Sequence, residues 1–138
     1  MNKSYNYKDF RIEILYEDSD IAILNKPSGL LTHKKSEFDN SPSLQESLKN
    51  QFTIDDGENF KEGIVHRLDK DTSGIIVITK NHISKNKFRE MFKKKDIKKN
   101  YLAFTYGVLN KKNIEVNKKI HRNQIRRTKF GVSDNLGK

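Results

Sequence analysis

The stretch "GIVHRLDKDTSGIIVITK", Gly63 to Lys80, constrains the fold more than any other part of the sequence. Its final run, Ile75 to Thr79, is rich in β-branched residues and is typical of a buried strand. A polar loop precedes this run and carries Asp69 two positions after Arg67. The pattern predicts that two apolar segments flank a loop that presents one carboxylate close to a guanidinium.

Asp69 has two interpretations on its residue surroundings alone. A carboxylate beside a guanidinium stays ionised and can serve as a fixed anion or a nucleophile. Alternatively, Asp69 is a turn residue in a loop where Asp71, Thr72 and Ser73 bond to nearby backbone groups. The residue types leave both interpretations open.

Metal binding and the common nucleophile arrangements are not predicted. The segment from Asp69 to Gly74 begins like an EF-hand calcium loop, but the twelfth position is Lys80 instead of glutamate. The sequence has no cysteine, and no serine nucleophile is marked out beside His66, which is interpreted as structural. The four histidines show no metal-ligand spacing: His33, His66, His82 and His121.

The residues before this stretch predict two strands joined by a turn. Ile12, Ile14 and Tyr16 alternate with polar neighbours, and Ile21 to Leu24 form a fuller apolar run. The "EDSD" segment between them predicts a turn in which Asp18 bonds to nearby backbone N–H groups.

The motif "NKPSG" is expected to end the second of these strands. Pro27 has no N–H for a ladder, and Gly29 permits a positive φ. Leu30 to His33 predict a short extended piece. Ser43 and Glu46 have the spacing of a capping box, which predicts that a helix begins after Ser43.

A helix and further strands are predicted after this stretch. The segment "HISKNKFREMFKKKD", residues 82–96, has apolar residues near helical spacing, among them Ile83. "KKNYLAFTYGVL" predicts a strand over residues 101–106, and residues 113–120 and 128–132 predict two more. This order of elements indicates an α+β fold instead of alternating βαβ units.

Length and charge indicate one domain with a polyanionic partner. The 138 residues contain no apolar run near the roughly 20 residues that span a bilayer, and the polar N-terminus does not form a secretory signal. We therefore expect a cytoplasmic protein. Residues 82–138 hold 17 Lys/Arg against 4 Asp/Glu, whereas residues 1–81 hold 11 against 14. Such asymmetry favours nucleic acid as a partner; the alternative is a solvated, lysine-rich surface.

Three segments together resemble the RluA-type pseudouridine synthases: "EDSDIAILNKPSGLLTH", "GIVHRLDKDTSGIIVITKN" and "KKNYLAFTYGV". HRLD followed by K-D-T-S-G and a β run is a specific signature of that family. The resemblance extends from about Arg11 to Lys138. It implies a mixed, mainly antiparallel sheet with flanking helices.

The resemblance also implies a role for each matching residue. Asp69 would be the catalytic aspartate, and Tyr101 would pack against the target base and handle a proton. The motif that shapes the catalytic loop would comprise Asn25, Lys26, Pro27 and Gly29, with His66 and Leu68 as further support. The residues expected to meet RNA are Arg67, Arg122, Arg126, Arg127 and Lys129.

The implied reaction is the isomerisation of uridine in ribosomal or transfer RNA. The N1–C1′ bond breaks, the uracil turns, and C5 joins C1′. No cofactor, metal or membrane is implied, and we expect a monomer. Two routes stay open for the aspartate, namely attack at C1′ and assisted loss of the 2′ proton. The sequence does not identify the RNA or the uridine.

One departure from the family pattern concerns the end of the chain. Members carry a later motif whose arginine pairs with the catalytic carboxylate. We expect that residues 1–138 stop before this motif and that no S4-like domain precedes the core. We therefore predict one partial catalytic domain, incomplete at the C-terminus and inactive by itself. It would be a fragment, a truncated gene or a degenerate copy. A non-catalytic RNA-binding protein is the alternative function.

Overall fold

The computed structural model describes residues 3–36, 38–55, 63–108, 110, 112–123 and 129–132. The chain divides into two compact units, residues 1–99 and 100–138. The prediction of one partial domain over residues 1–138 stays a prediction beside this division. The secondary structure consists of β1 (Lys3–Tyr7), β2 (Phe10–Glu17), β3 (Ile21–Lys26), α1 (Leu44–Leu48), β4 (Gly74–Thr79), α2 (His82–Lys94), β5 (Ile120–Arg122) and β6 (Phe130–Val132).

A four-stranded antiparallel sheet in the order β1-β2-β3-β4 forms the centre of the first unit. The predicted strands β2, β3 and β4 are confirmed, and so is the α+β class. One face of the sheet packs on α1 and the loops around it. The buried core consists of Ile12, Ile14, Ala22, Leu24, Leu30, Leu44, Leu48, Phe52, Ile64, Ile76 and Ile78.

The predicted alternation in β2 is interrupted after Ile14. Ile12 and Ile14 are buried, but Tyr16 is 50% exposed. The register of β2 against β3 shifts between Ile14 and Tyr16, as it does at a β-bulge. An extra residue in a strand moves the following side chains to the opposite face. Tyr16 therefore leaves the core, and its hydroxyl donates to Asp18.

Half of the predicted capping box is present at α1. The Ser43 hydroxyl accepts a hydrogen bond from the backbone N–H of Glu46 at 3.2 Å. The Glu46 carboxylate accepts from the hydroxyl of Tyr7 in β1 and from the ammonium of Lys34. Glu46 therefore ties the helix to the first strand as well as to the preceding loop.

The predicted helix after β4 is confirmed as α2. The side chain of Asn81 caps it by accepting from Ser84 N, and Lys95 ends it in the left-handed conformation. The apolar face is covered only in part: Ile83 is 70% exposed, whereas Phe92 is half-buried. The buried residues of the helix, Ser84 and Lys85, lie in its first turn, where the Ser84 hydroxyl donates to the Asp20 carbonyl. The helix is therefore anchored to the first unit at its N-terminal end as well as through Phe92.

The second unit contains the antiparallel pair β5-β6. The predicted strand over residues 101–106 is wrong for the described backbone, which is irregular there. A strand needs a neighbour for its N–H and C=O groups, and the pairs described in this unit involve only β5 and β6. The predicted strand over residues 113–120 shortens to Ile120, where β5 begins, and β6 falls within the one predicted over 128–132.

None of the helices in the described ranges combines the length and the apolar character that crossing a membrane requires.

Candidate active site

The residues that lead into the Asp69 loop run along the outer edge of β4. The N–H of Thr79 donates to the carbonyl of Gly63 at 2.9 Å, and Ile64 lies opposite Ile78 in an antiparallel bridge. Gly63 has φ of 71°, and a Cβ placed on it would lie 1.9 Å from the Thr79 oxygen. This close approach excludes any side chain at the start of the segment.

His66 continues the contact with β4 through its side chain. Its Nε2 accepts a hydrogen bond from the N–H of Val77 at 2.9 Å. The imidazole also packs on Phe92 of α2, with ring centroids 4.8 Å apart and planes tilted by 32°. Burial, with a smaller contribution from Lys99, lowers the pKa of His66 to about 4. The imidazole is therefore neutral at physiological pH, as an Nε2 acceptor must be.

Lys26 joins the "NKPSG" loop to the Asp69 loop. Its side chain is fully buried at the end of β3. The ammonium donates to the carbonyl oxygens of Pro27, Leu30 and Lys70 at 3.0, 2.7 and 3.1 Å. The N–H of Gly29, which has φ of 85°, donates to the same Lys70 oxygen at 2.9 Å. Two donors thus hold the carbonyl of the residue that follows Asp69.

Two hydroxyl groups hold the residues on either side of this point. The Thr32 hydroxyl donates to the Leu68 carbonyl at 2.6 Å and accepts from the Leu68 N–H at 3.2 Å. The Ser28 hydroxyl donates to the Asp71 carbonyl at 2.9 Å. The loop also has its own turn, in which Thr72 N donates to Asp69 O. Consecutive backbone groups around Asp69 are therefore fixed from outside the loop.

The Asp69 side chain itself points to solvent, and so does that of Arg67. Within the described ranges, no ion pair or side-chain hydrogen bond involves the Asp69 carboxylate. Leu68 between them is 7% exposed and anchors the loop in the core. The buried Leu68 therefore anchors the backbone beside Asp69, whose carboxylate is accessible from solvent.

The other predicted site residues are spread over both units. The side-chain amide of Asn25, on β3, donates to the Glu13 carboxylate on β2. Asn25 therefore belongs to the sheet and lies next to Lys26. Tyr101 lies at the start of the second unit, next to Asn100, and is 66% exposed. Arg122 is exposed at the end of β5, and Lys129 is exposed directly before β6; Asn123 N donates to Lys129 O. Arg126 and Arg127 lie outside the described residues.

Three residues of this arrangement were not singled out by the sequence. Thr32 lies in the short extended piece after "NKPSG", and Ser28 lies inside that motif. Phe92 is one apolar position of the helix predicted over residues 82–96. A hydroxyl residue at a buried extended position is the one signal that could have indicated Thr32, which is 2% exposed.

The arrangement suits chemistry at an exposed carboxylate. The described residues include no group of three or more His, Asp or Glu side chains that could hold a metal ion. A carboxylate on a rigid loop can attack a carbon centre or take a proton from a bound substrate. The exposed loop leaves room for a large substrate beside it.

The sequence profile of a family described as RNA pseudouridylate synthase matches residues 20–136. The chain belongs to this family. The resemblance in "HRLD" and its flanking segments is thereby confirmed as membership. The match includes the "NKPSG" loop, the Asp69 loop and most of the second unit.

Curated relatives of the family match most of the chain. Ribosomal large subunit pseudouridine synthase C of Rickettsia bellii is 40% identical over 126 residues, which are 91% of this chain and 40% of the relative. Ribosomal large subunit pseudouridine synthase D of Borreliella burgdorferi is 38% identical over 130 residues, 92% of this chain and 40% of the relative. The chain thus spans about 40% of the length of these relatives.

A solved structure, human RNA pseudouridylate synthase domain containing 4, is also similar. The alignment covers 60% of this chain and 30% of the human chain, with 26% identity and a TM-score of 0.46.

Proposed function

We propose that this chain carries the catalytic loop of an RNA pseudouridine synthase that acts on ribosomal RNA. The observation that carries the proposal is the presentation of Asp69: an exposed carboxylate on a loop whose backbone is held at Leu68, Lys70 and Asp71. Membership of the RNA pseudouridylate synthase family supports the reaction class. The bacterial relatives, which are ribosomal large subunit pseudouridine synthases by name, support ribosomal RNA as the substrate.

The proposed reaction is an isomerisation at one uridine. The N1–C1′ bond breaks, the uracil turns within the site, and a C5–C1′ bond forms; C5 loses its proton to solvent and N1 takes one up, so the product is an isomer. Asp69 either attacks C1′ and is displaced when C5 bonds to that carbon, or removes the 2′ proton and returns it when C5 bonds to C1′. In both routes the carboxylate oxygen must lie within bonding reach of the sugar, and this requirement explains why a rigid loop is useful.

The RNA has to present its target nucleotide outside the base stack. Extrusion costs a few kcal/mol, which contacts to the backbone and to the flipped base offset. We assign backbone contacts to Arg67, Arg122 and Lys129, whose side chains are exposed. Tyr101 is assigned to the base, because its ring is 66% exposed and aromatic rings stack on unpaired bases. Action as a monomer in the cytoplasm stays a prediction.

The test is a comparison of Asp69→Asn with Asp71→Asn, made in residues 1–138 extended by the downstream genomic sequence, because residues 1–138 are predicted to be inactive by themselves. RNA transcripts carrying [5-³H]uridine release tritium to water when C5 bonds to C1′, so turnover is read directly. We expect Asp69→Asn to abolish release and Asp71→Asn, a matched exposed aspartate of the same loop, to keep most of it. Both variants should unfold within about 0.5 kcal/mol of the unmodified chain, because neither carboxylate is buried.

Two results would contradict the proposal. Near-normal tritium release by Asp69→Asn would remove the assignment of the catalytic carboxylate. An extended chain that binds ribosomal RNA but releases no tritium from any transcript would favour the non-catalytic RNA-binding alternative. RNA binding should be measured in parallel by filter retention, so that the two failures can be distinguished.

A further inference from the structure

The backbone before Asp69 behaves as an added strand for only two residues. Gly63 and Ile64 pair with Thr79 and Ile78 at the outer edge of β4. In a continued antiparallel ladder, the next outward N–H of β4, that of Val77, would meet the carbonyl of Val65. The chain instead leaves the edge at this point and turns toward the Asp69 loop.

The side chain of His66 occupies the place of the missing backbone acceptor. Val77 N–H donates to His66 Nε2 at 2.9 Å, so the edge amide stays satisfied although the ladder has ended. An unsatisfied N–H at this half-buried position would be unfavourable. The imidazole therefore allows the backbone to depart from β4 without leaving a donor unpaired.

The ring is held on another side by α2. Phe92 packs on it with centroids 4.8 Å apart, and the Lys99 ammonium lies 5.6 Å from the centroid of the Phe92 ring. The imidazole is thus fixed by one hydrogen bond to the sheet and one ring contact to the helix. Asp69 follows only three residues later.

We propose that His66 is a positioning residue, which sets the point where the chain leaves β4 and thereby the location of the Asp69 carboxylate. The role in turnover rests on the proposed function of Asp69. The two parts of the His66 contact can be separated by substitution. In His66→Gln an amide oxygen can accept from Val77 at a similar reach, whereas His66→Phe retains a ring against Phe92 and loses the acceptor.

The kinetic test compares kcat and KM for tritium release by these two variants, made in the same extended chain. We expect His66→Phe to lower kcat about 100-fold with KM changed less than about 3-fold, since misplacement of a reacting group by about 1 Å costs this much. His66→Gln should recover kcat to within about 10-fold of the unmodified chain. Equal kcat values for the Phe variant and the unmodified chain would overturn the proposal.

A second measurement does not depend on turnover. In ¹⁵N-labelled protein, His66→Phe should speed hydrogen exchange of the Val77 amide at least about 10-fold and shift the amide resonances of residues 67–72. His66→Gln should keep both close to those of the unmodified chain. If the loop resonances stay in place in His66→Phe, the positioning role is wrong. If they move while no chain releases tritium, the proposed function fails and the positioning role stands.

Circular dichroism identifies a variant that does not fold. If His66→Phe fails to fold, His66→Gln and Phe92→Leu decide the question. The positioning role is supported if His66→Gln retains the hydrogen-exchange protection of the Val77 amide and Phe92→Leu displaces the amide resonances of residues 67–72. The role is contradicted if His66→Gln loses this protection while the loop resonances stay in place.

Discussion

The ammonium of Lys26 donates a hydrogen bond to the carbonyl oxygen of Lys70 across 44 positions of sequence, at 3.1 Å. The contact links the end of β3 to the residue that follows Asp69. The buried charge is solvated by carbonyl dipoles instead of a paired carboxylate. Burial lowers the pKa of Lys26, and the charges of Asp71 and Asp69 partly oppose this effect.

Lys26→Met should destabilise the fold because the carbonyl oxygens of Pro27 and Leu30 lose their side-chain donor. We expect the free energy of unfolding in urea to fall by about 3 kcal/mol. The control is Lys70→Met: that side chain is exposed, and only its backbone takes part. The control should change stability by less than about 0.5 kcal/mol. A loss below about 1 kcal/mol for Lys26→Met would show that the carbonyls find other donors.

Gly63→Ala should be the more damaging of two glycine substitutions. Gly63 and Gly74 both have positive φ, but only at Gly63 would the new Cβ meet backbone, 1.9 Å from the Thr79 oxygen. Gly74→Ala meets nothing within 4 Å and should cost about 1–3 kcal/mol from strain alone. Gly63→Ala should cost more than about 4 kcal/mol or prevent folding. Equal decreases in the free energy of unfolding in urea for the two variants would mean that the backbone at the β4 edge shifts to accommodate the new Cβ.

The strands of the sheet could be predicted where sequence pattern and chain breakers agree. β3 and β4 are apolar runs, and Pro27 ends β3 as expected. β1 was missed, because "KSYNY" is polar and its fit depends on distant groups. The hydroxyl of Tyr5 lies 3.2 Å from that of Ser47, and Tyr7 donates to Glu46. Contacts across about 40 positions leave no local signal in a sequence.

The residues assigned to the site from the sequence stay predictions, and the geometry of their loop could not be predicted. Asp69 and Arg67 are exposed as a reactive loop requires, and Lys26 was expected to support that loop. Nothing in the sequence shows that the Lys26 ammonium is fully buried among carbonyls. The predicted strand beginning at Tyr101 failed for a related reason: alternating residues form a strand only where another backbone is available to pair.

Stability should depend on pH through His66. Its pKa falls from 6.5 to about 4 on folding, so the unfolded chain binds the extra proton more readily between these values. The folded chain, which holds the neutral imidazole, therefore has its full stability above pH 6.5 and loses stability progressively as pH falls to 4. Relative to His66→Gln, which does not titrate, the unmodified chain should lose about 1–2 kcal/mol over this range after allowance for solvent screening. Parallel pH profiles for the two chains would show that His66 has no share in acid sensitivity.

RNA affinity should depend on salt through the β5-β6 pair. Arg122 and Lys129 are both exposed there, and the Arg122 guanidinium lies 5.4 Å from the centroid of the Phe130 ring, which keeps it beside the hairpin. Cations that neutralise phosphates release counterions, and each contact to single-stranded RNA contributes about 0.7 to the slope of log affinity against log salt. Replacing both residues with Gln should therefore reduce the magnitude of the slope by about 1.4.

The matched control replaces two exposed lysines of the first unit, Lys8 and Lys35, with Gln. Net charge falls by the same amount in both double variants, so a general effect of charge would change the two slopes equally. A larger change of slope for the Arg122 and Lys129 variant than for the control indicates phosphate contacts beside the β5-β6 pair. The change should be alike for several RNA sequences, since phosphate contacts carry no base information. Fluorescence anisotropy at several salt concentrations gives both slopes. If the hairpin variant keeps the original slope, these two cations are solvated surface charges, and the excess of positive charge in residues 82–138 acts elsewhere.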